Sequence, residues 1–407
     1  MAWIRFKSKW RKRLAITVVA IPVLVVALWI AIHRIPGFGG LLADTARAVF
    51  GNEAVAWMED TAYGVQDWLL RKTRSGDEPE AYWEVPPTAA ATAAEPPADA
   101  GADGQAPAGP KPFRLASVGP VHDAFKAPGD GVWVQVTDAR HPDEPARLLK
   151  TQLHPDRNRS WTIVAVVAVD LSQVDIHSVA GRFEPESRTP EAKKYERRAT
   201  IDPAHHDRLI AGFNGGYKAT HGYYGMKIDG VVLIPPRPKA CTVAKYDDGK
   251  LAVRSWEALA NDDERLVWWR QAPLCMYEQG KPNPVLGMSK LGWGASSVSG
   301  TTVIRRSAIG LDEEAKVLFI GIGDHTTGQA IAHAMHHAGA AHVAQLDVNF
   351  SYPKFVTFEP SESDPSKLLA VPLTEHFEYT EDEYIRVRSH RDFFYLVRRE
   401  TQTESDS

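Results

Sequence analysis

The sequence predicts an α+β protein: a strand-rich mixed-sheet head with a few helices, behind an N-terminal transmembrane helix and a Pro/Ala linker. Three observations support this prediction. An uncharged apolar run follows a basic N-terminus, a stretch dominated by Ala, Pro and Gly separates this run from the rest, and residues 113–400 contain many short apolar segments bounded by turn residues.

Composition limits the classes of protein that need be considered. The 407 residues include 47 basic and 51 acidic side chains, for a net charge of −4, and 44% are hydrophobic. This is an ordinary globular mixture, which excludes a collagen-like chain and a wholly disordered one. The first 13 residues hold six cations and no acid, so the remainder is acidic and offers no basic surface for nucleic acid.

Residues 1–35 are predicted to form a cytoplasmic basic segment and a membrane anchor. Leu14–Ile32 is an uncharged run of 19 residues. A helix of this length spans about 28 Å, close to the roughly 30 Å apolar core of a bilayer. Cations before the run favour a cytoplasmic N-terminus, so the membrane is a predicted partner and the main domain is expected to be periplasmic or extracellular.

Two further segments precede the head. Residues 36–85 are predicted to hold short juxtamembrane helices, Ala43–Phe50 and Val55–Leu70, which either pack on the anchor or a partner or serve as a spacer. In residues 86–112, Ala, Pro and Gly make up 20 of the 27 positions, which predicts a disordered linker because so little apolar surface is available to bury. Residues 401–407 are predicted to be a disordered tail.

Residues 113–400 form the predicted head domain. Asp247-Asp248-Gly249-Lys250 is a strong hairpin turn, and Asp312–Ala315 is a weaker one. Thr326-Thr327 is expected to cap a helix from about Gly328 to Ala338. The predicted strands are Val132–Val136, Trp161–Leu171, Leu209–Phe213, Thr242–Tyr246, Leu251–Trp256, Ala308–Leu311, Val317–Ile322, His342–Val348, and a closing pair within Phe377–Val397.

The cysteines and histidines leave two questions open. Cys241 and Cys275 form either one disulfide bond or two buried thiols. His333 and His337 are spaced i, i+4 on the predicted helix, but the second position of a zinc-binding HExxH motif is not Glu, so no metal site is predicted there.

Three short segments hold the candidate site residues. In the first, a predicted strand runs into Asn214-Gly215-Gly216-Tyr217-Lys218, where paired glycines allow close backbone approach to a ligand; a tight turn without function is the alternative. His221, shortly after, is a candidate acid.

The other two segments carry opposite charges. Arg306 precedes a strand and offers a planar fork to phosphate, although adjacent arginines are often only a solvated edge. Asp347 follows a buried strand, in a position suited to acid–base chemistry or to starting a turn, with Asn349 and Ser351 close behind.

Taken together and in order, these motifs resemble the phosphodiester glycosidase family, whose bacterial members are often described as exopolysaccharide-associated. The resemblance covers about Trp161–Phe355 and implies hydrolysis of a sugar 1-phosphodiester. It implies that Asn214, Gly215 and Gly216 line the site, that Arg306 binds phosphate and that Asp347 is the catalytic or positioning carboxylate. The family commonly has Asp-Gly-Gly-Gly-Ser-Ser at the last motif, where this chain has Asp-Val-Asn-Phe-Ser-Tyr.

The sequence therefore supports two functional hypotheses. In the first, the protein is a membrane-anchored extracytoplasmic hydrolase that cleaves a sugar 1-phosphodiester in envelope or exopolysaccharide glycans. In the second, the same fold is a non-catalytic glycan-binding or polysaccharide-assembly module. Both predict a phosphate-linked glycan as partner, and the sequence leaves open whether a divalent cation is needed.

Overall fold

A computed structural model describes residues 51–86, 112–287, 300–349 and 351–399, with a few isolated positions before residue 51. The chain divides into two compact units, Met1–Met58 and Glu59–Ser407. The predicted anchor Leu14–Ile32, apart from Ala31, lies outside the described residues, as do the predicted linker except for its two end residues and the C-terminal tail. The domain boundaries therefore stay predictions.

The helix α1 (Asn52–Thr73) covers the predicted amphipathic stretch Val55–Leu70. Within the second unit it lies against the head: the Asp67 carboxylate accepts hydrogen bonds from Arg159 Nε at 2.7 Å and Nη2 at 2.8 Å. The segment after the helix also packs on the head, because the Tyr82 amide donates to Gln152 Oε1 at 2.7 Å. This part of the chain is thus more than a spacer.

Among the described residues, no helix is both long enough and apolar enough to cross a bilayer.

The rest of the described chain is mostly strand, as the sequence predicts. The strands are β1 (Val134–Val136), β2 (Leu148–Leu153), β3 (Ile163–Asp170), β4 (Val174–Val179), β5 (Leu209–Asn214), β6 (Met226–Ile228), β7 (Val231–Ile234), β8 (Cys241–Tyr246), β9 (Leu251–Ser255), β10 (Leu266–Ala272), β11 (Tyr277–Glu278), β12 (Lys281–Pro282), β13 (Ile304–Leu311), β14 (Val317–Thr326), β15 (His342–Gln345), β16 (Phe355–Pro360), β17 (Leu368–Pro372) and β18 (Phe393–Arg398).

These strands form three sheets. The large sheet has the order β1-β2-β3-β14-β13-β15-β11-β12, the second sheet β7-β6-β10-β8-β9 and the third sheet β17-β16-β5-β18-β4. Every ladder between the described strands is antiparallel, for example β3 with β14 and β5 with β18. The α+β class is confirmed, but the sheets are antiparallel where mixed pairing was expected, because hairpins and long irregular returns join the strands.

Strand β3 shows how one sheet serves two cores. Alternate side chains of a strand point to opposite faces. Ala165, Val167 and Val169 enter a core shared by all three sheets, to which the third sheet contributes Phe213 and the second sheet Trp268. The intervening valines and alanine face the core beneath the second helix. The unbroken apolar run in the sequence therefore reflects burial on both faces.

The helix α2 (Gly328–His337) covers the outer face of the large sheet. Thr327 caps it as predicted, since its hydroxyl accepts from the Ala330 amide at 3.1 Å. A glycine in the sheet allows close approach, because a Cβ at Gly321 would lie 2.5 Å from Met335 Sδ. His333 is on the exposed side of this helix.

The turn residues of the sequence predict two hairpins, and the structure contains both. The β8–β9 hairpin is confirmed, and β13 and β14 pair as predicted but extend further, to Ile304 and Thr326. The closing pair of strands predicted within Phe377–Val397 is wrong, because among the described residues only β18 forms there. Phe377, Tyr384 and Ile385 are buried from irregular backbone instead, so their apolar character reflects packing rather than a strand.

Cys241 and Cys275 are joined by a disulfide bond across a sequence separation of 34 residues. It links the start of β8 to the residues after β10. The chain-entropy model gives such a loop a stabilisation of about 4 kcal/mol. This answers the question that the sequence left open.

Candidate functional site

The candidate site lies where the three sheets meet. Asn214 ends β5 in the third sheet and is buried; its Nδ2 donates to Ser307 Oγ in the large sheet at 2.8 Å. Its Oδ1 accepts from the Lys354 amide at 3.2 Å. The Asp347 amide donates to the Gly215 carbonyl at 3.0 Å. Asn214 therefore ties together the ends of strands that are far apart in sequence.

The two glycines after Asn214 make room for a buried ion pair. The guanidinium of Arg270, in β10 of the second sheet, donates from Nε to Asp392 Oδ2 at 2.8 Å. The amide of Gly216 donates to the same carboxylate oxygen at 2.8 Å. A Cβ at Gly215 would lie 2.2 Å from Asp392 Oδ2, and one at Gly216 would lie 2.7 Å from Arg270 Cζ. Close approach of side chains explains the paired glycines.

A second buried ion pair lies beside the first. Arg391 Nη1 donates to Asp347 Oδ2, and the Asn349 amide donates to Asp347 Oδ1 at 3.0 Å. Both charged side chains are nearly inaccessible, with 3% and 2% of their surfaces exposed. Burial alone would lower the pKa of Arg391, but the Asp347 carboxylate outweighs burial and holds this pKa above its ordinary value.

One nitrogen of the Arg391 guanidinium, Nε, takes no part in the ion pair with Asp347. The ring of Tyr352 lies 3.6 Å from its guanidinium carbon, which covers the cation on one side. Within the described part of the chain, the buried Nε of Arg391 has no hydrogen-bond partner. A buried donor without a partner is uncommon and is often explained by a ligand or water.

Arg306 lies in a neighbouring part of the same network. It is fully buried and donates to the carbonyls of Thr326 at 3.1 Å and Thr302 at 2.9 Å, and to Gln345 Oε1 at 3.0 Å. Burial lowers the pKa of Arg306 to about 10. The expected phosphate ligand is thus engaged with backbone carbonyls that bracket the start of β13 and the end of β14.

The remaining candidates of the first motif follow Gly216. Tyr217 is buried, and its hydroxyl accepts a hydrogen bond from Gln345 Nε2, which connects it to Arg306. Burial raises the pKa of the Tyr217 hydroxyl well above its ordinary value. Lys218 is half-buried, and His221 is buried at the end of a short 3-10 helix, Ala219–His221.

The last motif forms a tight turn around Asp347. Asn349 and Ser351 are half-buried, and the Tyr352 amide donates to the Asn349 carbonyl at 2.8 Å. Asn349 contributes its backbone amide to the Asp347 carboxylate. The turn therefore keeps a backbone donor at the carboxylate although the three glycines of the related motif are replaced.

The sequence reasoning missed the two cations and one carboxylate that pair in the site. Arg270 stands inside an apolar strand, Leu266–Ala272, and a charged residue in such a strand is a signal that could have been followed. Arg391 and Asp392 stand directly before the buried strand Phe393–Arg398, as Asp347 stands after another. Their pairing depends on the fold and is not visible in the sequence.

The described residues offer no group of three or more His, Cys, Asp and Glu side chains that could hold a metal ion. They do place the Arg391 guanidinium, whose Nε has no partner among them, beside the Asp347 carboxylate, and both groups are shielded from water. In a shielded site each charge interaction is stronger than in water. The arrangement is chemically suited to bind an anion next to a base.

Comparison with solved structures finds several chains with a similar course of the backbone. The catalytic domain of zebrafish N-acetylglucosamine-1-phosphodiester alpha-N-acetylglucosaminidase, auto-inhibited by its pro-peptide, matches at 15% identity with a TM-score of 0.39, over 66% of this chain and 88% of that one. A hypothetical protein from Synechocystis matches at 9% identity and a TM-score of 0.32, over 63% and 65% of the two chains.

A putative exported protein from Burkholderia pseudomallei matches at 10% identity and a TM-score of 0.28, over 63% and 75% of the two chains. No protein-family model and no curated protein matches the sequence significantly. These likenesses concern the course of the chain alone, and no residue role or activity is carried from them to this protein.

Proposed function

We propose that this protein is a hydrolase of sugar 1-phosphodiesters, with Asp347 as its base and Arg391 as its phosphate ligand. The observation that carries the proposal is the buried Arg391–Asp347 pair, in which Arg391 Nε has no partner among the described residues. A phosphodiester carries one negative charge on two equivalent oxygens, which suits a planar guanidinium. The order of the sequence motifs, which resembles the phosphodiester glycosidase family, supports the same reaction class.

The pair suggests how substrate would prepare the carboxylate. In the free protein Asp347 Oδ2 accepts from Arg391. A phosphate bound by Arg391 would compete for this donor and leave Oδ2 to accept a proton from water or to stabilise positive charge on the sugar. Asp347 Oδ1 would stay fixed by the Asn349 amide. Tyr352 covers the guanidinium, so substrate entry requires its ring to move aside.

Hydrolysis consumes one water molecule. Its hydroxyl joins one side of the cleaved ester bond, at the anomeric carbon or at phosphorus, and its proton ends on the oxygen of the other side. Asp347 carries this proton between the two positions. Asn214 and the two following glycines position the Asp347 turn and the Arg270–Asp392 pair. Lys218 and His221, which follow Gly216 in the chain, are the candidates for contacts to the sugar.

The sequence extends the proposal to location and partner. A basic segment followed by the apolar run Leu14–Ile32 supports a single-pass anchor with the head outside the cytoplasm. The substrate would then be a phosphate-linked glycan of the envelope or an exopolysaccharide. A site shielded from water suits such a reaction because the electrostatic interactions between the protein and the phosphate are stronger there than in water.

The test uses the full chain with a panel of sugar 1-phosphodiesters, including UDP-N-acetylglucosamine, with and without EDTA. Wild-type protein should release free sugar, and Asp347→Asn should reduce kcat by at least about 100-fold, the usual effect of losing an acid–base group. Arg391→Lys keeps the charge but not the fork, so KM should rise. Loss of activity in EDTA would indicate a divalent cation.

The matched control is Asp382→Asn, which removes an exposed carboxylate that also binds an arginine, Arg386. Its activity should equal that of the wild type, and each variant should be assayed well below its own measured melting temperature, so that lost activity does not reflect unfolding. Wild-type-like turnover by Asp347→Asn would overturn the assignment. Saccharide phosphodiester binding without any turnover would instead support the non-catalytic glycan-binding or assembly module.

A further inference from the structure

A cavity of about 250 Å³ lies in the second unit, between the end of α1 and the strand ends of the large sheet where β3 begins and β14 ends. Three parts of the chain enclose it: the segment Leu70–Tyr82, the residues at the start of β3 and the end of β14, and a loop before β18. It shares no residue with the Asp347 site. Its lining residues are Leu70, Arg74, Glu78, Glu80, Ala81, Tyr82, Ser160, Trp161, Ile163, Asp324, His325 and His376.

The aromatic side chains give this cavity flat apolar walls. The Tyr82 ring stacks on His376 with centroids 4.8 Å apart and ring planes 29° apart. Trp161 lies on another side, with the Arg74 guanidinium 5.7 Å from its ring centre. Flat rings favour ligands that present an apolar face, and they leave the polar groups of such a ligand to be bound at its edge.

The charged groups of the wall are mainly acidic. Glu78 and Glu80 are exposed at its rim, and Asp324 is half-buried, where its Oδ2 accepts from Arg305 Nη2 at 3.3 Å. Arg74, the cation of the lining, is paired with Asp77 at 2.6 Å. Carboxylates accept hydrogen bonds and repel anions, so this wall selects a ligand that donates hydrogen bonds and carries no negative charge.

One backbone feature of the wall is typical of binding sites. His325 has a φ of 50°, a left-handed conformation that is uncommon for residues other than Gly, Asn and Asp. Residues held in such sparsely populated conformations cluster at ligand sites, where the surrounding structure fixes them. His325 is half-buried and lines the cavity beside Asp324.

We propose that this cavity binds a short neutral or amino-bearing saccharide. A sugar ring has an apolar C–H face for Trp161 or Tyr82 and a rim of hydroxyl groups that donate to the carboxylates. The volume lies just below the roughly 300–1,000 Å³ of pockets for drug-sized ligands, which suits one sugar ring or two. The cavity is a binding site separate from the proposed hydrolytic centre and does not depend on it.

The experiment titrates the full chain with glucose, N-acetylglucosamine, glucosamine and glucuronic acid. Binding is followed by calorimetry and by saturation-transfer NMR. At least one of the first three sugars should bind, and glucuronic acid should bind more weakly than glucose because the wall is acidic. The same titration of Asp347→Asn should give unchanged affinity, which separates this site from the hydrolytic one.

Two variants test the assignment to the cavity. Trp161→Phe replaces the two fused rings of the wall by one smaller ring, and His325→Asn keeps a residue that tolerates the left-handed conformation. Each should weaken saccharide binding about tenfold or more, a change of one decade in Kd. Trp83→Phe is the matched control, because it makes the same change of ring at a residue that does not line the cavity.

The melting temperatures of the free variants should equal that of the wild type. Absence of binding by all four sugars would overturn the proposal, as would binding that Trp161→Phe and His325→Asn leave unchanged. Preference for glucuronic acid over glucose would also contradict it, because the acidic wall is the basis of the predicted selectivity.

Discussion

At the scale of single residues, the candidate site depends on glycines that admit charged side chains. Arg270 is held rigidly: besides Asp392, its guanidinium donates to the carbonyls of Tyr224 at 3.0 Å and Gln271 at 3.1 Å. It therefore cannot move away from a side chain added at Gly216. A buried ion pair held in this way is costly to disturb, since each charge would lose its partner.

We predict that Gly216→Ala destabilises the protein. Its Cβ would lie 2.7–2.8 Å from the Arg270 guanidinium, inside the range of normal contacts. Overpacking of this kind typically costs about 1–3 kcal/mol. The free energy of unfolding, measured with urea, should fall by that amount, and sugar release should fall with it.

The control for this prediction is Gly64→Ala, in α1. No described atom lies within 4 Å of a Cβ placed there. Alanine in a helix is about 0.5–1 kcal/mol more favourable than glycine, so this variant should be as stable as the wild type or more so. Equal stability of Gly216→Ala and the wild type would show that the Arg270 pair is looser than its contacts indicate.

Single residues also show what could be predicted from the sequence. Asn214, Gly215 and Asp347 were identified because each stands at the end of an apolar strand, and a strand end is a local signal. The resemblance points to Arg306 for phosphate, a role that stays a prediction, and the sequence does not single out Arg391. Arg391 directly precedes β18 and Arg306 lies within β13, and only the fold shows which one faces a carboxylate and which one binds backbone carbonyls.

At the scale of secondary-structure elements, a charged side chain joins the second and third sheets. Lys245 in β8 donates to Asp175 Oδ1 at 2.6 Å and Oδ2 at 2.7 Å, and to the Ile176 carbonyl at 3.2 Å. Burial alone would raise the pKa of Asp175, but hydrogen bonds from His177 and Lys245 outweigh burial and hold this pKa well below its ordinary value.

This ion pair predicts a loss of stability in acid. A carboxyl group whose pKa is lowered on folding stabilises the protein above its unfolded pKa of about 4, and this stabilisation is lost as the pH falls toward the folded pKa. Asp175→Asn should therefore lower the free energy of unfolding by about 1–3 kcal/mol at pH 7. Below pH ~4 the difference from wild type should shrink.

The exposed pair Arg386–Asp382 again provides the control, with 34% and 43% of its side-chain surfaces exposed. Asp382→Asn should change the unfolding free energy by about 0–1 kcal/mol, because water screens the pair. Urea titrations at several pH values measure both variants. A difference for Asp175→Asn that stays constant down to pH ~3 would contradict the lowered pKa.

The elements themselves were predictable where their signals are local. The β8–β9 hairpin follows from Asp247–Lys250, and α2 follows from Thr327 and its apolar face. The predicted strand His342–Val348 ends as β15 at Gln345, because the residues after it turn to place Asp347 in the site. Long-range packing of Phe377 and Tyr384 into irregular backbone has no local signature.

At the scale of the whole molecule, the compact second unit starts at Glu59, well before the position at which composition indicates the head. Asp67 binds Arg159, Tyr82 stacks on His376, and Lys150 Nζ lies 4.5 Å from the centre of the Trp83 ring. Tyr82 and Trp83 also pack against the core shared by the three sheets. These residues belong physically to the head although a Pro/Ala-rich stretch separates them from it in sequence.

We predict that a fragment of residues 113–407 is less stable than one of residues 59–407. Removing residues 59–86 leaves Arg159 without Asp67 and uncovers apolar surface beneath Tyr82 and Trp83. Arg159 keeps its ion pair with Asp156, so the loss is that of hydrogen bonds to a charged group, about 1.5–3 kcal/mol. At roughly 2 °C per kcal/mol the melting temperature should fall by about 3–6 °C. Calorimetry of the two fragments measures this difference.

A synthetic peptide of residues 59–86 tests whether these contacts stabilise the head when the two parts of the chain are separate molecules. Because a molecule that binds only the folded state raises its melting temperature, the peptide should restore stability to the fragment 113–407 in a concentration-dependent way. The same peptide with Asp67→Asn should restore less, since the Arg159 pair is incomplete. Equal melting temperatures for the two fragments would mean that the contacts of Asp67, Tyr82 and Trp83 add no stability, and that the saccharide cavity that Tyr82 helps to enclose is not a fixed part of the head.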